Sequence, residues 1–292
     1  METRILHYFL TVAKTRNITQ AAHQLHITQP TLSRQLKQLE DDLGTPLFIR
    51  GKREITLTVA GQILERQAKK ILMMIAQTQE EIKLSNQQQL SGNINLGCVE
   101  SNVTYFVDDL IAQFQAQYPL VKINNYSADG DDLKAQMDEG FLDLSFLIEP
   151  IEAAKYHYIS LPIYEKWGLY VNQNHPLAQK QTLTADDLAD YPLILPRRSI
   201  VQNELSAVIG IDVDKLNVKM TLNLSSNAFP LVEKYNYCLF SIGGIGKLNL
   251  YPNITFIPFE NYFRTGHGLA WRKNSHYSAA VKTFIDFVKE HV

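Results

Sequence analysis

The stretch NITQAAHQLHITQPTLSRQLKQLEDDLG, residues 17–44, contains the starts of two helices and decides how the N-terminal part of the chain folds. Asn17 can cap a first, short helix, whose alanines let a neighbouring helix approach closely. Thr28 can cap a second helix, and Pro30 is tolerated in its first turn because its missing N–H would have no intrahelical partner there. Gly44 is a typical helix stop. The stretch therefore predicts two helices joined by a tight turn.

The second of these helices has two faces of different composition. The apolar side chains recur at helical spacing and predict a buried face: Leu32, Leu36, Leu39 and Leu43. The opposite face is polar and consists of Gln29, Thr31, Ser33, Arg34, Gln35, Lys37 and Gln38. Such side chains can exchange hydrogen bonds with base edges, and the cations suit phosphate or guanine. A solvated face is nevertheless the usual role of polar residues on an amphipathic helix, so this helix alone does not establish a nucleic-acid surface.

The flanking segments favour the nucleic-acid interpretation. Apolar residues at helical spacing predict a preceding helix over residues 3–14. The following segment, TPLFIRGKREITLT (residues 45–58), has two short extended runs around Gly51-Lys52, a pair that suits a two-residue hairpin. Arg50, Lys52 and Arg53 cluster at its tip, where cations can reach the DNA backbone or minor groove. Helix, turn, helix and basic hairpin in this order are far more specific than any one of them.

The sequence also resembles a known family at these positions. Ala21-Ala22, Leu25, TQPTLSRQLKQLE, LFIR and LTVAG resemble the N-terminal signature of LysR-type transcriptional regulators, strongly over roughly the first 65 residues and in outline beyond them. The resemblance implies a winged helix-turn-helix in which residues near position 30 approach bases and phosphates and Arg53 is the wing arginine. The predicted DNA-binding residues are Thr28, Gln29, Pro30, Thr31, Ser33, Arg34, Lys37, Arg50 and Arg53.

Residues 58–88 contain no proline and predict one long helix. About 30 residues at a rise of about 1.5 Å give a rod of roughly 45 Å, which cannot bury an apolar stripe alone. Its stripe consists of Ile63, Leu64, Ile71, Leu72, Ile75 and Ile82. The helix either lies on its own globular body or pairs with the same helix of a second chain, and the resemblance to the LysR linker helix favours pairing. Two paired heads could engage two half-sites.

Residues 91–292 resemble the effector domain of the same family in outline. Strands and helices alternate over residues 94–148 and again over about 162–264, which predicts α/β layers. The predicted fold class is α/β multidomain: a winged helix-turn-helix at 1–58, a linker helix and hinge at 59–90, and, by its resemblance to the same family, a two-lobed, periplasmic-binding-protein-like effector domain at 91–292. Lobe 1 is expected to comprise about 91–161 and 265–292, and lobe 2 about 162–264.

Ligands of open α/β sheets bind beyond the carboxyl ends of the strands, where helix N-termini present unpaired N–H groups. The candidate effector-binding residues near these ends are Ser101, Asn102, Ser127, Arg198, Ser199, Ser226 and His267. Each is also an ordinary cap or turn residue, so the prediction depends on their sharing one cleft. Arg198 and His267 favour an anionic ligand, whereas Glu100, Asp129 and Glu149 oppose it. The sign of the ligand's charge stays open.

Charge is distributed unevenly along the chain. Residues 1–90 hold 12 Lys and Arg against 8 Asp and Glu, a balance of +4, whereas residues 91–292 hold 16 against 22, a balance of −6. The whole chain therefore has a net charge of −2. A mildly basic front end permits phosphate binding, more so in a dimer. No apolar run approaches the ~18 residues that span a bilayer, and the charged N-terminus does not resemble a signal peptide, so the expected location is cytoplasmic and no membrane partner is expected.

Enzyme motifs fail. SIGGIGKL has Ser241 where a phosphate-binding loop needs glycine and Leu248 where serine or threonine would bind magnesium. The histidines do not cluster as metal ligands do, so no catalytic residue, metal or cofactor is predicted.

The expected partners are double-stranded DNA with an interrupted inverted repeat, a small-molecule effector and a second copy of the chain; the resemblance adds a tetramer and RNA polymerase. Two alternatives remain: a redox-sensing regulator that uses Cys98 and Cys238, and a solute-binding module with a non-functional head.

Overall fold

The computed structural model describes residues 2–51, 54–84, 89–188, 191–198, 201–203, 205–206, 212–245, 250–260 and 264–292. Its internal contacts divide the chain into two units, Met1–Gln88 and Gln89–Val292. Among the described residues, the first unit has one hydrophobic core and the second unit has two.

The first unit is a three-helix head followed by a hairpin and a long helix. Its elements are α1 (Thr3–Thr15), α2 (Ile18–Gln24), α3 (Gln29–Leu43), β1 (Phe48–Arg50), β2 (Ile55–Leu57) and α4 (Val59–Leu84). Asn17 caps α2, because its side chain accepts a hydrogen bond from the N–H of Gln20 at 3.0 Å. His26 adopts a φ of 54° in the turn before α3, and Gly44, with a φ of 66°, ends α3 in the left-handed conformation that glycine tolerates best. The leucines predicted to be buried on α3 lie in the core of the head, except Leu43, which is exposed.

The β1–β2 hairpin is attached to α3 by one carboxylate. Phe48 pairs with Leu57 across the antiparallel strands. Glu40, near the end of α3, accepts hydrogen bonds from the backbone N–H groups of Leu47 at 2.7 Å and Phe48 at 3.1 Å. At the start of α4, a side chain at Gly61 would lie 2.2 Å from the carbonyl oxygen of Leu47, so only glycine permits this close approach. The orientation of the hairpin relative to α3 is therefore set by polar and steric contacts together.

The apolar stripe of α4 has two different environments. Leu64 and Ala68 are buried in the core of the head, and Ile71 and Leu72 pack against it. Met74 and Ile82, farther along the helix, are 63% and 65% exposed. The first half of the stripe thus packs on its own head, apolar side chains of the second half are exposed, and pairing with a second chain stays a prediction.

The second unit is built on a mixed sheet. Its described strands are β3 (Ser91–Cys98), β4 (Leu120–Ser127), β5 (Leu144–Ile148), β6 (Tyr156–Asn172), β7 (Leu193–Pro196), β8 (Val218–Leu222), β9 (Cys238–Ile242), β10 (Ile254–Pro258) and β11 (Arg264–Arg272). Their order is β4-β3-β5-β11-β6-β9-β7-β8, with β10 also beside β6. Its described α-helices include α5 (Val103–Gln117), α6 (Gly130–Asp138), α7 (Phe229–Tyr235) and α8 (Ala279–Glu290).

Two hydrophobic cores divide this unit into two lobes. The first core combines β3, β4 and β5 with α5, α6 and α8, and the second is formed by β7, β9, β10 and α7. The strand β6 is common to both, because Tyr156 and Leu161 belong to the first core whereas Trp167 and Leu169 belong to the second. Its partner β11 shifts register between Gly266 and His267. The lobes therefore share a continuous pair of strands with an irregularity between them.

Candidate functional site

One face of α3 presents polar side chains to solvent. Gln29 donates a hydrogen bond from its amide to the hydroxyl of Ser33 at 2.9 Å, and the hydroxyls of Thr28 and Thr31 are 2.8 Å apart. Thr28 occupies the N-cap position of α3, but its side chain makes no capping bond to the backbone. The side chains predicted to approach bases are therefore aligned along the helix by hydrogen bonds to one another. A hydroxyl that accepts one such bond can still donate outward.

Cations extend this face. Arg34 and Lys37 are exposed, and neither forms an ion pair within the part of the chain that the structure describes. Pro30 is also exposed and lies in the first turn of α3, before Arg34 and Lys37. The partial positive charge of the backbone at this helix N-terminus favours an anion. The face from Thr28 to Lys37 thus combines neutral hydrogen-bonding groups with unpaired positive charge, which is what contact with bases and phosphates requires.

The structure covers the hairpin only in part. Arg50 is the last residue of β1, and the turn closes with a hydrogen bond from the N–H of Gly51 to the carbonyl of Glu54 at 3.0 Å. Lys52 and Arg53 lie outside the described residues. The wing predicted from the sequence is present as a hairpin, and the contribution of Arg53 stays a prediction.

A cavity lies between the two lobes of the second unit. Its apolar lining includes Val99, Ile148, Trp167, Leu224 and Ile242. Its polar lining includes Glu100, Asp129, Arg198, Asn223, Ser225 and Ser241. The centres of water molecules can occupy about 60 Å³ of it. An apolar cavity with a few converging polar groups is the usual form of a small-molecule site.

Two arginines after β7 connect the lobes across this cavity. Arg197 lies 2.9 Å from Asp129 and 2.8 Å from Asp132. Arg198 is 8% exposed, and its Nε donates to Asp131 at 3.0 Å. These carboxylates stand at the start of α6, where Asp129 also accepts hydrogen bonds from the first backbone N–H groups of the helix. Two positive side chains of one lobe thus bind three carboxylates of the other.

A neutral bond accompanies these ion pairs. Ser226, before α7, donates to the carboxylate of Glu100 at 2.7 Å, again from one lobe to the other. Beside it, Ser241 donates to the hydroxyl of Ser225 at 3.0 Å, which leaves the proton of Ser225 available to another acceptor. The cavity is therefore enclosed by ion pairs and a hydrogen bond that join side chains of one lobe to side chains of the other.

A second polar cluster lies near the irregularity between the lobes. His267 is fully buried, and its Nδ1 lies 3.2 Å from the carbonyl of Ile163. Because a carbonyl can only accept, Nδ1 carries the proton, and Nε2 accepts the hydrogen bond of the Ser101 hydroxyl at 2.9 Å. Burial lowers the pKa of His267, so the ring is neutral.

Glu165 completes this cluster and was not predicted from the sequence. It is 4% exposed, one carboxylate oxygen accepts the N–H of Asn102 at 2.6 Å, and the other lies 4.0 Å from Nε2 of His267. Burial raises the pKa of Glu165 to about 7. The available sequence signal was its spacing of two from Trp167, which places both side chains on one face of β6.

The predicted effector residues fall into different groups. Arg198 lines the cavity, and Ser226 reaches it through Glu100. Ser101, Asn102 and His267 cluster with Glu165 instead. Ser127 is exposed at the end of β4 and is not among the described lining residues, and Ser199 lies outside the described residues.

The two cysteines lie in separate lobes. Both are buried, and burial raises the pKa of Cys98 and of Cys238 to about 12. Within the described ranges, His, Cys, Asp and Glu side chains form no group of three that could hold a metal ion. No helix in the same ranges is long and apolar enough to cross a membrane.

Comparison with known proteins identifies the kind of chain that carries these sites. The family description of the LysR substrate binding domain matches residues 87–292, and that of the bacterial regulatory helix-turn-helix protein of the lysR family matches residues 3–62. The HTH-type transcriptional regulator BudR of Raoultella terrigena is 29% identical over 98% of this chain and 99% of its own length. The hydrogen peroxide-inducible genes activator of Pectobacterium carotovorum is 30% identical over 67% of this chain and 64% of its own. Full-length CbnR, crystallised with its target DNA, shares the fold with a TM-score of 0.79 at 20% identity, covering 100% of both chains.

The buried carboxyl of Glu165 should make stability depend on pH in a defined direction. Its pKa is about 7 in the folded chain against 4.5 for an ordinary glutamate, so the folded state holds the proton more tightly. The resulting stabilisation is complete below about pH 4.5 and is lost as the pH rises to about 7. Glu165→Gln stays neutral, so its stability relative to the parent should increase over this range, by at most about 3 kcal/mol.

Urea unfolding at a series of pH values measures this difference, with the exposed Glu260→Gln as the matched control. A difference between Glu165→Gln and the parent that is constant from pH 4.5 to 7.5 would show that Glu165 titrates normally and that its burial has been misread.

Proposed function

The chain belongs to the LysR family of transcriptional regulators, and on that premise we propose that it binds an interrupted inverted repeat in double-stranded DNA. The α3 face enters the major groove, and the β1–β2 hairpin contacts the adjacent backbone. This proposal rests on one observation: the exposed cations Arg34 and Lys37 lie beside Gln29 and Ser33 and form no ion pair with any residue that the structure describes. The contacts assigned to bases and phosphates are those of Thr28 to Lys37, together with Arg50 and Arg53.

A small molecule bound between the two lobes regulates this DNA binding. The cavity is closed by bonds between side chains of different lobes, from Arg197 and Arg198 to α6 and from Ser226 to Glu100. A ligand that interacts differently with closed and open lobes shifts their equilibrium by its differential affinity. The shift changes the spacing of the reading heads, and with it DNA bending or contact with RNA polymerase.

Pairing of the long helix brings two heads together. The exposed apolar side chains Met74 and Ile82 of α4 need a covering surface, and the same helix of a second copy supplies one. Two such dimers then form a tetramer on DNA. The proposed boundaries are 1–58 for the DNA-binding domain, 59–90 for the linker and 91–292 for the effector domain. The protein acts in the cytoplasm, as a regulator and not as an enzyme.

Oxidation is not the proposed signal, although one relative is named for its response to hydrogen peroxide. A reactive cysteine needs a low pKa and access to the oxidant. Cys98 and Cys238 are buried and have a pKa raised to about 12, so neither is a thiolate at neutral pH.

Gln29→Ala should relax sequence preference without abolishing DNA binding. Loss of a good base contact should weaken binding to the preferred site by about 1–3 kcal/mol and leave binding to unrelated DNA unchanged. Fluorescence anisotropy with DNA from upstream of the coding region and with scrambled DNA measures both values. The exposed Gln179→Ala, in the second unit, is the matched control.

Arg53→Ala provides the contrasting outcome. Loss of a phosphate contact should weaken binding to both DNA molecules and reduce the slope of affinity against salt concentration by about 1. If Gln29→Ala and Arg53→Ala both bind like the parent, the assignment of the α3 face and wing to DNA is wrong.

Ile82→Glu should dissociate the dimer. A charge placed in an apolar helix pair must be desolvated, and Ile82 is 65% exposed within one chain, so the change does not disturb the core of the head. Ala76→Glu is the control, because Ala76 is exposed on a different side of α4. Light scattering should give the mass of one chain for Ile82→Glu and that of the oligomer for Ala76→Glu; equal masses would contradict pairing through this stripe.

A further inference from the structure

Arg198 is one of the residues that line the cavity between the lobes. Its Nε is engaged by Asp131, whereas Nη2 is buried and has no partner among the described residues. The guanidinium lies over Gly130, where a side chain would come within 3.0 Å of Nη1, so glycine permits this position. A buried donor without an acceptor is costly, and a guanidinium edge matches a carboxylate in shape and charge.

Glu100 presents the opposite charge to the same cavity. One of its oxygens accepts the hydroxyl of Ser226 at 2.7 Å. Glu100 forms no ion pair with any cation in the described ranges, and it is half-buried. A half-buried carboxylate bound only by a neutral donor attracts a cation.

The third charged group of the lining is already neutralised. Both oxygens of Asp129 are used, one by the N–H groups of Asp131 and Asp132 and the other by Arg197 at 2.9 Å. The groups left for a ligand are therefore the Nη2 donor of Arg198, whose Nε already binds Asp131, and the carboxylate of Glu100. A plain carboxylate would bind the first but add a second negative charge beside Glu100, and a plain amine would leave Nη2 unsatisfied.

The size of the cavity limits the ligand. About 60 Å³ available to the centres of water molecules corresponds to roughly four to six waters, at about 10–15 Å³ each. The enclosed part of the cavity therefore suits a small ligand, with its apolar part against Val99, Ile148 and Trp167.

We infer that the effector is a small α-amino acid, whose carboxylate is bound by Arg198 and whose ammonium group is bound by Glu100. This inference rests on the proposed function, since it names the ligand class of the same cavity. The hydroxyl of Ser225 is placed to donate a further hydrogen bond to the ligand.

Calorimetric titration of the full-length protein with compounds of one carbon skeleton tests the inference. L-alanine is compared with propionate and lactate, which lack the ammonium group, and with ethylamine, which lacks the carboxylate; glycine and L-serine extend the series. At least one of the three amino acids should bind, and its affinity should exceed that of the matched acid and amine by at least about tenfold, the effect of about one lost charged contact.

Glu100→Gln separates the two charges. The amide oxygen can still accept the Ser226 hydroxyl, whereas the attraction for ammonium is gone. Affinity for the amino acid should fall at least about tenfold, and affinity for propionate or lactate should stay the same or rise. Glu260→Gln should leave every affinity unchanged, and equal melting temperatures would exclude misfolding as the cause.

Two results would overturn the inference: binding of propionate or lactate as tight as that of the amino acids, or no binding of glycine, L-alanine or L-serine. Footprinting of the same preparation on upstream DNA keeps the proposed function separate. Protected DNA without amino-acid binding would contradict only the ligand class. Amino-acid binding without protected DNA would contradict only the proposed function.

Discussion

The ion pairs between Arg197, Arg198 and the start of α6 hold the two lobes of the second unit against each other. They close the cavity, position the guanidinium of Arg198 within it and neutralise Asp129. Arg197 is 47% exposed on its side chain, so solvent screens its ion pairs and weakens them. Screened contacts of this kind can be exchanged when the lobes move relative to each other, as the proposed response to a ligand requires.

Local sequence signals predicted the head well. The leucine spacing of α3, the Asn17 cap and the Gly44 stop act within a few residues of themselves, and each has the expected role except at Leu43, which is exposed. Two local expectations differed in detail, because Thr28 bonds to Thr31 instead of the backbone and the first half of the α4 stripe packs on its own head. In both cases, the contact that a side chain makes depends on which of its possible partners is closest in the folded chain.

The effector site depended on long-range contacts and was predicted only in part. Strand ends pointed to Arg198, which lines the cavity, but nothing local shows that Asp131 occupies its Nε or that Ser101 and His267 belong to another cluster. Glu165 was missed for the same reason, since its neighbour Asn102 is 63 positions away in sequence. The charges left for a ligand emerge only after such pairs have been accounted for.

We propose above all that a ligand between the lobes changes how the head occupies DNA. Footprinting of the full-length protein on the DNA upstream of its coding region, with and without a panel of small metabolites, measures this directly. The protein should protect two half-sites on one face of the duplex, and the pattern of protection should shift when one metabolite is added. Absence of protection even at low salt, where phosphate contacts are strongest, would contradict it.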